Sequence, residues 1–200
     1  PNSINMPSLD ELSNPNSHIM PWYWVPLSAV KDRQVKKDKD GNVVWEWKHK
    51  WLFAFRDIAR GVDMRTFIIA PIPDAKGVGH TATLLYAERG CMPGASLYGM
   101  MSSLIFDYCS RQKIGGTHAS INYVKQFPVL TPDQIPSATQ WQIVKRVAEL
   151  CYFNHDMDGW ASELWEEMNE EQRAELPQLG AQQPWIYNPE RRAILQAELD

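Results

Sequence analysis

Basic side chains alternate with aromatic ones between residues 47 and 65, and this combination could bind nucleic acid. Arginine and lysine can contact phosphate oxygens, while the side chains between them can reach the bases. The same spacing equally fits a β-strand with one buried aromatic face and ordinary solvated bases on the other. Both interpretations stay open at this point. The bases are Lys48, Lys50, Arg56, Arg60 and Arg65, and the aromatic residues are Trp47, Trp51, Phe53 and Phe55.

A second cluster surrounds two adjacent glycines, in the segment Arg111-Gln112-Lys113-Ile114-Gly115-Gly116-Thr117-His118. Arginine and lysine can donate to guanine O6 and N7, and glutamine can pair with adenine, if the segment reaches a major groove. Alternatively, the segment is a helix end, where basic residues favour the negative pole of the helix. In that case the glycines permit left-handed backbone angles.

Most familiar catalytic patterns are missing: there is no glycine-rich phosphate loop, no Gly-x-Ser-x-Gly elbow, no His-Glu-x-x-His motif and no paired-cysteine metal site. Asp40, Glu46 and Lys48 resemble the Asp…Glu-x-Lys arrangement of nucleases, in which carboxylates hold a divalent metal ion. Asp40 also belongs to a turn signal at residues 38–42, and a β-hairpin accounts for it fully. A metal-dependent nuclease therefore stays only a minor alternative function.

The net charge of the 200-residue chain is −4, which argues superficially against nucleic acid. Its distribution is uneven, because residues 149–200 hold 12 acidic and 3 basic residues, whereas residues 1–148 have a net charge of +5. We expect the positive body, and not the acidic tail, to meet phosphate. The tail could equally be an ordinary solvated helical surface.

The hydrophobic fraction of 44% is typical of a globular protein. No segment approaches the roughly 18–20 apolar residues of a membrane span, so we expect no membrane partner. Three widely spaced cysteines, Cys91, Cys109 and Cys151, predict a reduced, cytoplasmic setting. Because the chain begins with Pro1 and not with Met, we expect a fragment of a longer protein.

The elements that must position these clusters change in character along the chain. Residues 1–20 predict a polar tail or linker, and residues 21–26 an extended aromatic segment between prolines. A short helix is expected within residues 27–36, followed by the turn and a strand at 43–47. Further strands are predicted at 51–55, 67–72, 81–86 and 120–124. After Pro136 the pattern is helical, with Asp158 and Asn188 as helix caps.

One long helix is predicted over residues 95–111, with Gly115 and Gly116 ending it, because its apolar side chains recur with helical spacing. Together the patterns predict an α+β fold, in which a small, mostly antiparallel or mixed sheet packs on this central helix. That region, at 21–132, is followed by a helical C-terminal subdomain at 133–200. The apolar stripe consists of Leu97, Met100, Met101, Leu104, Ile105, Tyr108 and Cys109.

Three segments are very similar to the C-terminal specificity region of TaqI-like and Eco57I-like adenine-specific DNA methylases. Residues 21 to about 132 follow the order of elements in that family. One departure is Asp63-Met64, where relatives commonly carry Asn-Glu, and an anionic side chain there argues against a direct base contact. The segments are Phe55-Arg56-Asp57-Ile58-Ala59-Arg60 with Arg65-Thr66, Phe106-Asp107-Tyr108-Cys109-Ser110-Arg111 continuing to His118, and Val124-Lys125-Gln126-Phe127-Pro128-Val129.

The resemblance implies a target-recognition domain that binds double-stranded DNA in cis with an N-terminal methyltransferase domain. That absent domain would bind S-adenosylmethionine and methylate adenine N6 on a flipped base. The catalytic Asn-Pro-Pro-Tyr/Phe motif is missing, since Asn188-Pro189-Glu190 lacks the second proline and the aromatic residue. The cofactor glycine motif is missing too. We therefore expect this chain to bind no cofactor and to be inactive alone. Both a parent methyltransferase and a parent enzyme that also cleaves DNA fit the resemblance.

Part of the motif is expected to be structural, with Phe106, Tyr108 and the Gly115-Gly116 bend fixing the central helix to the sheet. The main alternative function is a protein-interaction module of a phage-defence assembly, docking through the acidic tail and its residues Trp141, Trp160 and Trp165. The residues expected to contact DNA are Arg56, Arg60, Arg65, Arg111, Lys113 and His118.

Overall fold

A computed structural model describes residues 6–18, 24–74 and 76–200 of the chain. The fold is α+β, as predicted, with short antiparallel strands first and helices in the C-terminal half. The strands are β1 (Val35–Lys37), β2 (Val43–Glu46), β3 (Trp51–Arg56), β4 (Ile69–Pro73) and β5 (Ala82–Leu85). The helices are α1 (Leu9–Ser13), α2 (Leu27–Lys31), α3 (Cys91–Met101), α4 (Leu104–Lys113), α5 (Ile121–Val124), α6 (Ser137–Cys151), α7 (Asp158–Glu167), α8 (Glu170–Glu175), α9 (Pro177–Gly180) and α10 (Pro189–Leu199).

β1 and β2 form a separate antiparallel hairpin. The Asp38 carboxylate closes its turn by accepting hydrogen bonds from the Asp40 and Asn42 amides, each at 2.9 Å. Gly41 in this turn has a φ of +87°, a left-handed conformation that glycine adopts without strain. The predicted turn and outgoing strand are therefore confirmed, and α2 confirms the short helix expected before them.

β3 is the central strand of the second sheet, which has the order β4-β3-β5 and is antiparallel throughout. Helix α3 lies close to this strand, because a Cβ atom on Gly94 would come within 2.6 Å of the Trp51 ring. Phe53 stacks on Tyr98 of the same helix, with 6.0 Å between the ring centroids. The sheet thus packs on a helix near the middle of the chain, as the sequence predicts.

The C-terminal helices share a hydrophobic core with the sheet. One continuous cluster of buried side chains extends from Trp51 on β3 through Val144 on α6 and Leu164 on α7 to Leu195 on α10. Asn188 caps α10 as predicted, by accepting a hydrogen bond from the Arg191 amide at 2.9 Å. Folding of the sheet and of the helical region is therefore coupled through common apolar contacts.

Carboxylates of the acidic residues 149–200 also bond the helical region to the sheet and to α3. Glu163 on α7 accepts hydrogen bonds from the Lys50 amide at 2.7 Å and from Trp51 Nε1 at 3.0 Å. Glu167 accepts from the Cys91 amide at 2.6 Å, at the start of α3, where free amides attract negative charge. These acidic side chains are structural, so the negative tail is more than a solvated surface. Asp158, predicted as a cap, is instead the first residue of α7.

The prediction of one long helix over residues 95–111 is wrong, because the chain forms α3 and α4 with a break at Ser102 and Ser103. The Ser103 hydroxyl accepts a hydrogen bond from the Phe106 amide at 3.2 Å and thereby caps a new helix. Serine side chains compete in this way with the continuous backbone bonds of a helix. The interruption is invisible to a search for apolar periodicity.

The break also overturns the second half of the predicted apolar stripe. Leu104, Ile105 and Tyr108 are 53, 69 and 65% exposed. The buried face of α4 instead carries Phe106 and Asp107. A new helix start allows α4 to rotate relative to α3, so one periodicity cannot describe both helices.

Two predictions beside the glycines are also wrong. Residues 121–124 form α5 and not a strand, because the Val124 amide donates to the Ser120 carbonyl at 3.1 Å. Strand propensity mainly reflects side-chain packing on a pleated surface, and a local backbone bond overrides it here. Gly115 and Gly116 do not adopt left-handed angles, since the described glycines with positive φ are Gly41 and Gly90.

The first residues that the structure describes contain a helix, α1, that the polar pattern does not predict. Ser8 and Glu11 form a capping box at its start. The Pro15 carbonyl accepts a hydrogen bond from the His155 amide at 2.9 Å, so this segment lies against the C-terminal helical region. The first half of the extended segment predicted at 21–26 lies outside the described residues, which resume at 24.

Candidate nucleic-acid interface

Two loops that are distant in sequence lie side by side. We call them the β3–β4 loop (residues 57–68) and the glycine loop (residues 114–120). The Ala59 amide donates to the Thr117 carbonyl at 2.9 Å, and the Ala119 amide donates to the Asp57 carbonyl at 2.6 Å. The fold therefore brings residues of the two basic clusters onto adjoining loops.

Buried phenylalanine rings form the base of these loops. Phe67 packs against Phe55, Phe106 and Phe127, with ring centroids 5.4, 5.2 and 5.8 Å away. Aromatic pairs at such distances stabilise beyond the burial of their area. The structural role predicted for Phe106 is confirmed, whereas that predicted for Tyr108 is wrong because its ring is exposed.

Asp107 and Arg111 on α4 hold the β3–β4 loop through its main chain. Asp107 is buried, and its Oδ1 accepts hydrogen bonds from the Thr66 and Phe67 amides at 2.7 and 2.9 Å. Its Oδ2 accepts a hydrogen bond from Arg111 Nε at 3.0 Å. The other Arg111 nitrogens donate to loop carbonyls, including that of Met64 at 2.8 Å. We call this pair of side chains the clamp, and it explains why an arginine lies in the last turn of this helix.

The remaining arginines expected to contact DNA are also engaged with carboxylates. Arg56 and Arg60 both contact Asp63, each at 3.1 Å. Arg65 donates to Asp200 at 3.3 Å and so links the loop to the C-terminus. Asp63 is thus engaged in internal ion pairs with both of these arginines. Arg60 is the most exposed of these three side chains, with 62% of its area accessible.

The outer edge of the loop pair carries groups that the fold leaves open. Val62 and Met64 at the tip of the β3–β4 loop are 88 and 94% exposed. Lys113, the last residue of α4, is exposed, and its ammonium group has no ion-pair or hydrogen-bond partner within the described ranges. These residues offer a free cation and two exposed apolar side chains.

The glycine loop presents its backbone to solvent. Across residues 6–18, 24–74 and 76–200, no acceptor bonds the amides of residues 115–118. A Cβ atom added to Gly115 or Gly116 would meet nothing within 4 Å, so these glycines do not fix α4 to the sheet. Exposed consecutive amides can instead donate to an anion, and phosphate oxygens commonly accept from such groups.

His118, the last of the expected contact residues, pairs with Asp57 across the two loops. Its Nδ1 lies 2.6 Å from Asp57 Oδ2, and the histidine side chain is 59% exposed. Sequence reasoning missed Asp57, because the residues are 61 positions apart and no local pattern joins them. It also missed Asp107, although the spacing of four residues to Arg111 is the spacing of a helical ion pair.

The tryptophans expected to dock a protein partner lie within the fold. Trp160 is buried, and Trp141 is nearly so, with its Nε1 donating to Glu175 at 2.8 Å. Trp165 is half-buried, since it packs under Gly180 and against the Arg173 guanidinium. These rings serve helix packing, and of the three only Trp165 keeps a partly exposed surface.

Other chemistry considered from the sequence has little geometric support. In the part of the chain that the structure describes, no three His, Cys, Asp or Glu side chains cluster in a way that could hold a metal ion. No helix within the same residues is long and apolar enough to cross a membrane. All three cysteines are free, and burial raises the pKa of Cys91 and raises that of Cys151 to about 12, so both remain thiols.

Comparison of the chain with models of protein families, with curated proteins and with solved structures found no match.

Proposed function

We propose that this chain is the DNA target-recognition region of a site-specific adenine-N6 DNA methyltransferase or restriction-modification enzyme. The observation that supports the proposal best is that the β3–β4 loop and the glycine loop, which carry residues of two distant basic clusters, pair through backbone hydrogen bonds. The partners are double-stranded DNA and the methyltransferase domain of the same parent chain, which would bind S-adenosylmethionine. A reduced, cytoplasmic setting belongs to the same proposal and agrees with the free cysteines.

Phosphate contacts come from the open groups of the glycine loop and its neighbour Lys113. The amides of residues 115–118 donate without competition from the described residues, and Lys113 supplies an unpaired charge. Arg60 can join them, because an exposed ion pair such as that with Asp63 contributes little stability and exchanges readily. Such contacts set the register of a protein on the duplex without reading its sequence.

Val62 and Met64 are suited to the bases. Two exposed apolar side chains at a loop tip are costly in water, but they can contact a thymine methyl group or wedge between base steps. Arg111 of the clamp bonds to carbonyls of the loop tip, including that of Met64, and so holds the backbone of the tip in place for such contacts. Arg111, Arg56 and Arg65 then act by holding the loops and not by touching DNA.

The leading proposal and its main alternative assign different partners to the exposed apolar face of α4. In the leading proposal, the methyltransferase domain of the parent chain covers Leu104, Ile105 and Tyr108. In the alternative, a protein-interaction module of a phage-defence assembly, these residues meet a separate protein, because large exposed apolar side chains mark contact surfaces. Salt-dependent duplex binding separates the two, since the alternative requires none.

The test measures binding of the whole chain to a fluorescent duplex of random sequence at several salt concentrations. We expect a dissociation constant of about micromolar or weaker at physiological salt, because internal carboxylates already engage most of the loop arginines. Lys113→Ala should flatten the slope of log K against log salt by about 0.9, the value for one phosphate contact.

Lys39→Ala provides the matched control, since Lys39 is an exposed lysine in the distant β1–β2 turn. This variant should leave the salt slope unchanged. Equal slopes for the wild type, Lys113→Ala and Arg60→Ala would remove the loop pair from any DNA interface and overturn the proposal.

A further inference from the structure

The fold fixes the position of His118 through its backbone and its side chain. An isolated antiparallel bridge pairs Ile58 with His118, and backbone hydrogen bonds flank it on both sides. The imidazole Nδ1 then meets Asp57 Oδ2 at 2.6 Å, while the Asp57 side chain is largely buried. The opposite ring nitrogen, Nε2, has no partner among the residues that the structure describes.

This arrangement determines which ring nitrogen carries the proton. A carboxylate only accepts hydrogen bonds, so a neutral imidazole beside it must hold its proton on Nδ1. Nε2 then presents a lone pair and can accept a hydrogen bond but cannot donate one. Asp57 therefore acts as a positioning residue that gives His118 a defined chemical preference.

We infer that His118 reads an exocyclic amino group, N6 of adenine or N4 of cytosine, in the major groove. The inference rests on the proposed DNA binding by the loop pair and specifies what one residue there recognises. Adenine and cytosine present donors at these positions, whereas guanine O6 and N7 and thymine O4 are acceptors. An acceptor on the protein therefore favours A or C over G or T on the contacted strand.

Phosphate is a poor partner for the same atom, because two acceptors facing each other repel. This separates His118 from its neighbour Lys113, which donates only and suits phosphate. The exposed Val62 and Met64 side chains at the tip of the β3–β4 loop can exclude water from the same base edge if both loops enter one groove. The common surface of the two loops makes that geometry available.

The first arm of the test uses free protein and no DNA. Imidazole ¹⁵N chemical shifts at a pH of about 8, above the ordinary titration range of histidine, report the tautomer directly. We expect the His118 proton on Nδ1 in the wild type. In Asp57→Asn the amide nitrogen can donate to Nδ1, so the proton should move at least partly to Nε2.

The second arm selects bound duplexes from a randomised pool at the same pH. The wild type should enrich A or C at one position of one strand by at least about fivefold over G or T. His118→Ala should abolish this preference, and Asp57→Asn should reduce it and raise the share of G or T. Lys113→Ala should weaken all sequences alike and leave the preference intact.

The outcomes separate the inference from the function beneath it. Salt-dependent binding that depends on Lys113 but shows no A or C preference sensitive to His118 would overturn the inference and leave the DNA-binding proposal standing. A proton on Nε2, or a doubly protonated ring, in the wild type at this pH would also overturn it. Absence of duplex binding altogether would overturn both.

Discussion

The inner side of the β3–β4 loop and the glycine loop beside it use similar residues in opposite ways. On the inner side, Asp107 and Arg111 of α4 bond to each other and to backbone atoms of the loop. In the glycine loop, backbone amides stay open, and Lys113 beside it has no internal partner in the described part of the chain. Arg111 and Lys113 are two residues apart. Nearness in sequence therefore says little about whether a base is structural or available to a ligand.

The largest expected effect tests the structural side of this comparison. Asp107→Ala should lower the free energy of unfolding by about 3–5 kcal/mol, because it leaves Arg111 without its buried counter-charge and two amides without an acceptor. Urea unfolding followed by tryptophan fluorescence measures this loss. Asp133→Ala is the control, since that carboxylate is exposed and its contact with Arg89 is 3.9 Å long. A loss below about 1 kcal/mol for Asp107→Ala would mean that the clamp is not structural.

Arg111→Ala should have the next largest effect, a loss of about 2–3 kcal/mol, because a mostly buried guanidinium and its hydrogen bonds disappear. Arg111→Lys should recover little, since an ammonium group cannot reproduce the planar fork that contacts several carbonyls. Lys113→Ala, two residues away, should leave the unfolding midpoint unchanged. An Arg111→Ala variant that keeps its stability but loses DNA affinity would reverse the roles assigned to these two residues.

The smallest expected effect concerns the outer face of α4. Leu104→Ala should change the free energy of unfolding by less than about 0.5 kcal/mol, because the side chain is exposed and leaves no cavity. The apolar stripe read from the sequence predicts instead a loss of about 2–5 kcal/mol, the cost of truncating a core leucine. The same urea titration decides between them.

Local patterns were sufficient for the parts of the fold with strong local signals. The Asp38 turn, the three strands of the main sheet and the Asn188 cap each depend on a few adjacent residues, and each was predictable. The break before α4 was not, because a serine cap inside an apolar repeat leaves the periodicity intact. Residues 121–124 were misassigned as a strand because residue propensity does not show whether a neighbouring strand is available. Without one, the segment forms the local backbone hydrogen bonds of α5.

The candidate site was predictable as a set of residue types but not as an arrangement. Sequence reasoning placed both Arg111 and Lys113 among the expected DNA contacts, and only the carbonyl oxygens around Arg111 show that it is structural. The pairing of Asp57 with His118 needs the two loops to meet across the sheet. Contacts between residues that far apart in sequence depend on tertiary structure, which no local spacing encodes.

The clamp affects which residues of this surface can be substituted during evolution. Arg111 and Asp107 bond to carbonyl and amide groups of the loop, so they are indifferent to which side chains the loop carries. Residues such as Val62 and Met64 can be exchanged without loss of a single bond that shapes the backbone. Mutation can therefore explore new recognition chemistry at the loop tip while the scaffold beneath keeps its stability, as in an antibody loop held on a constant framework.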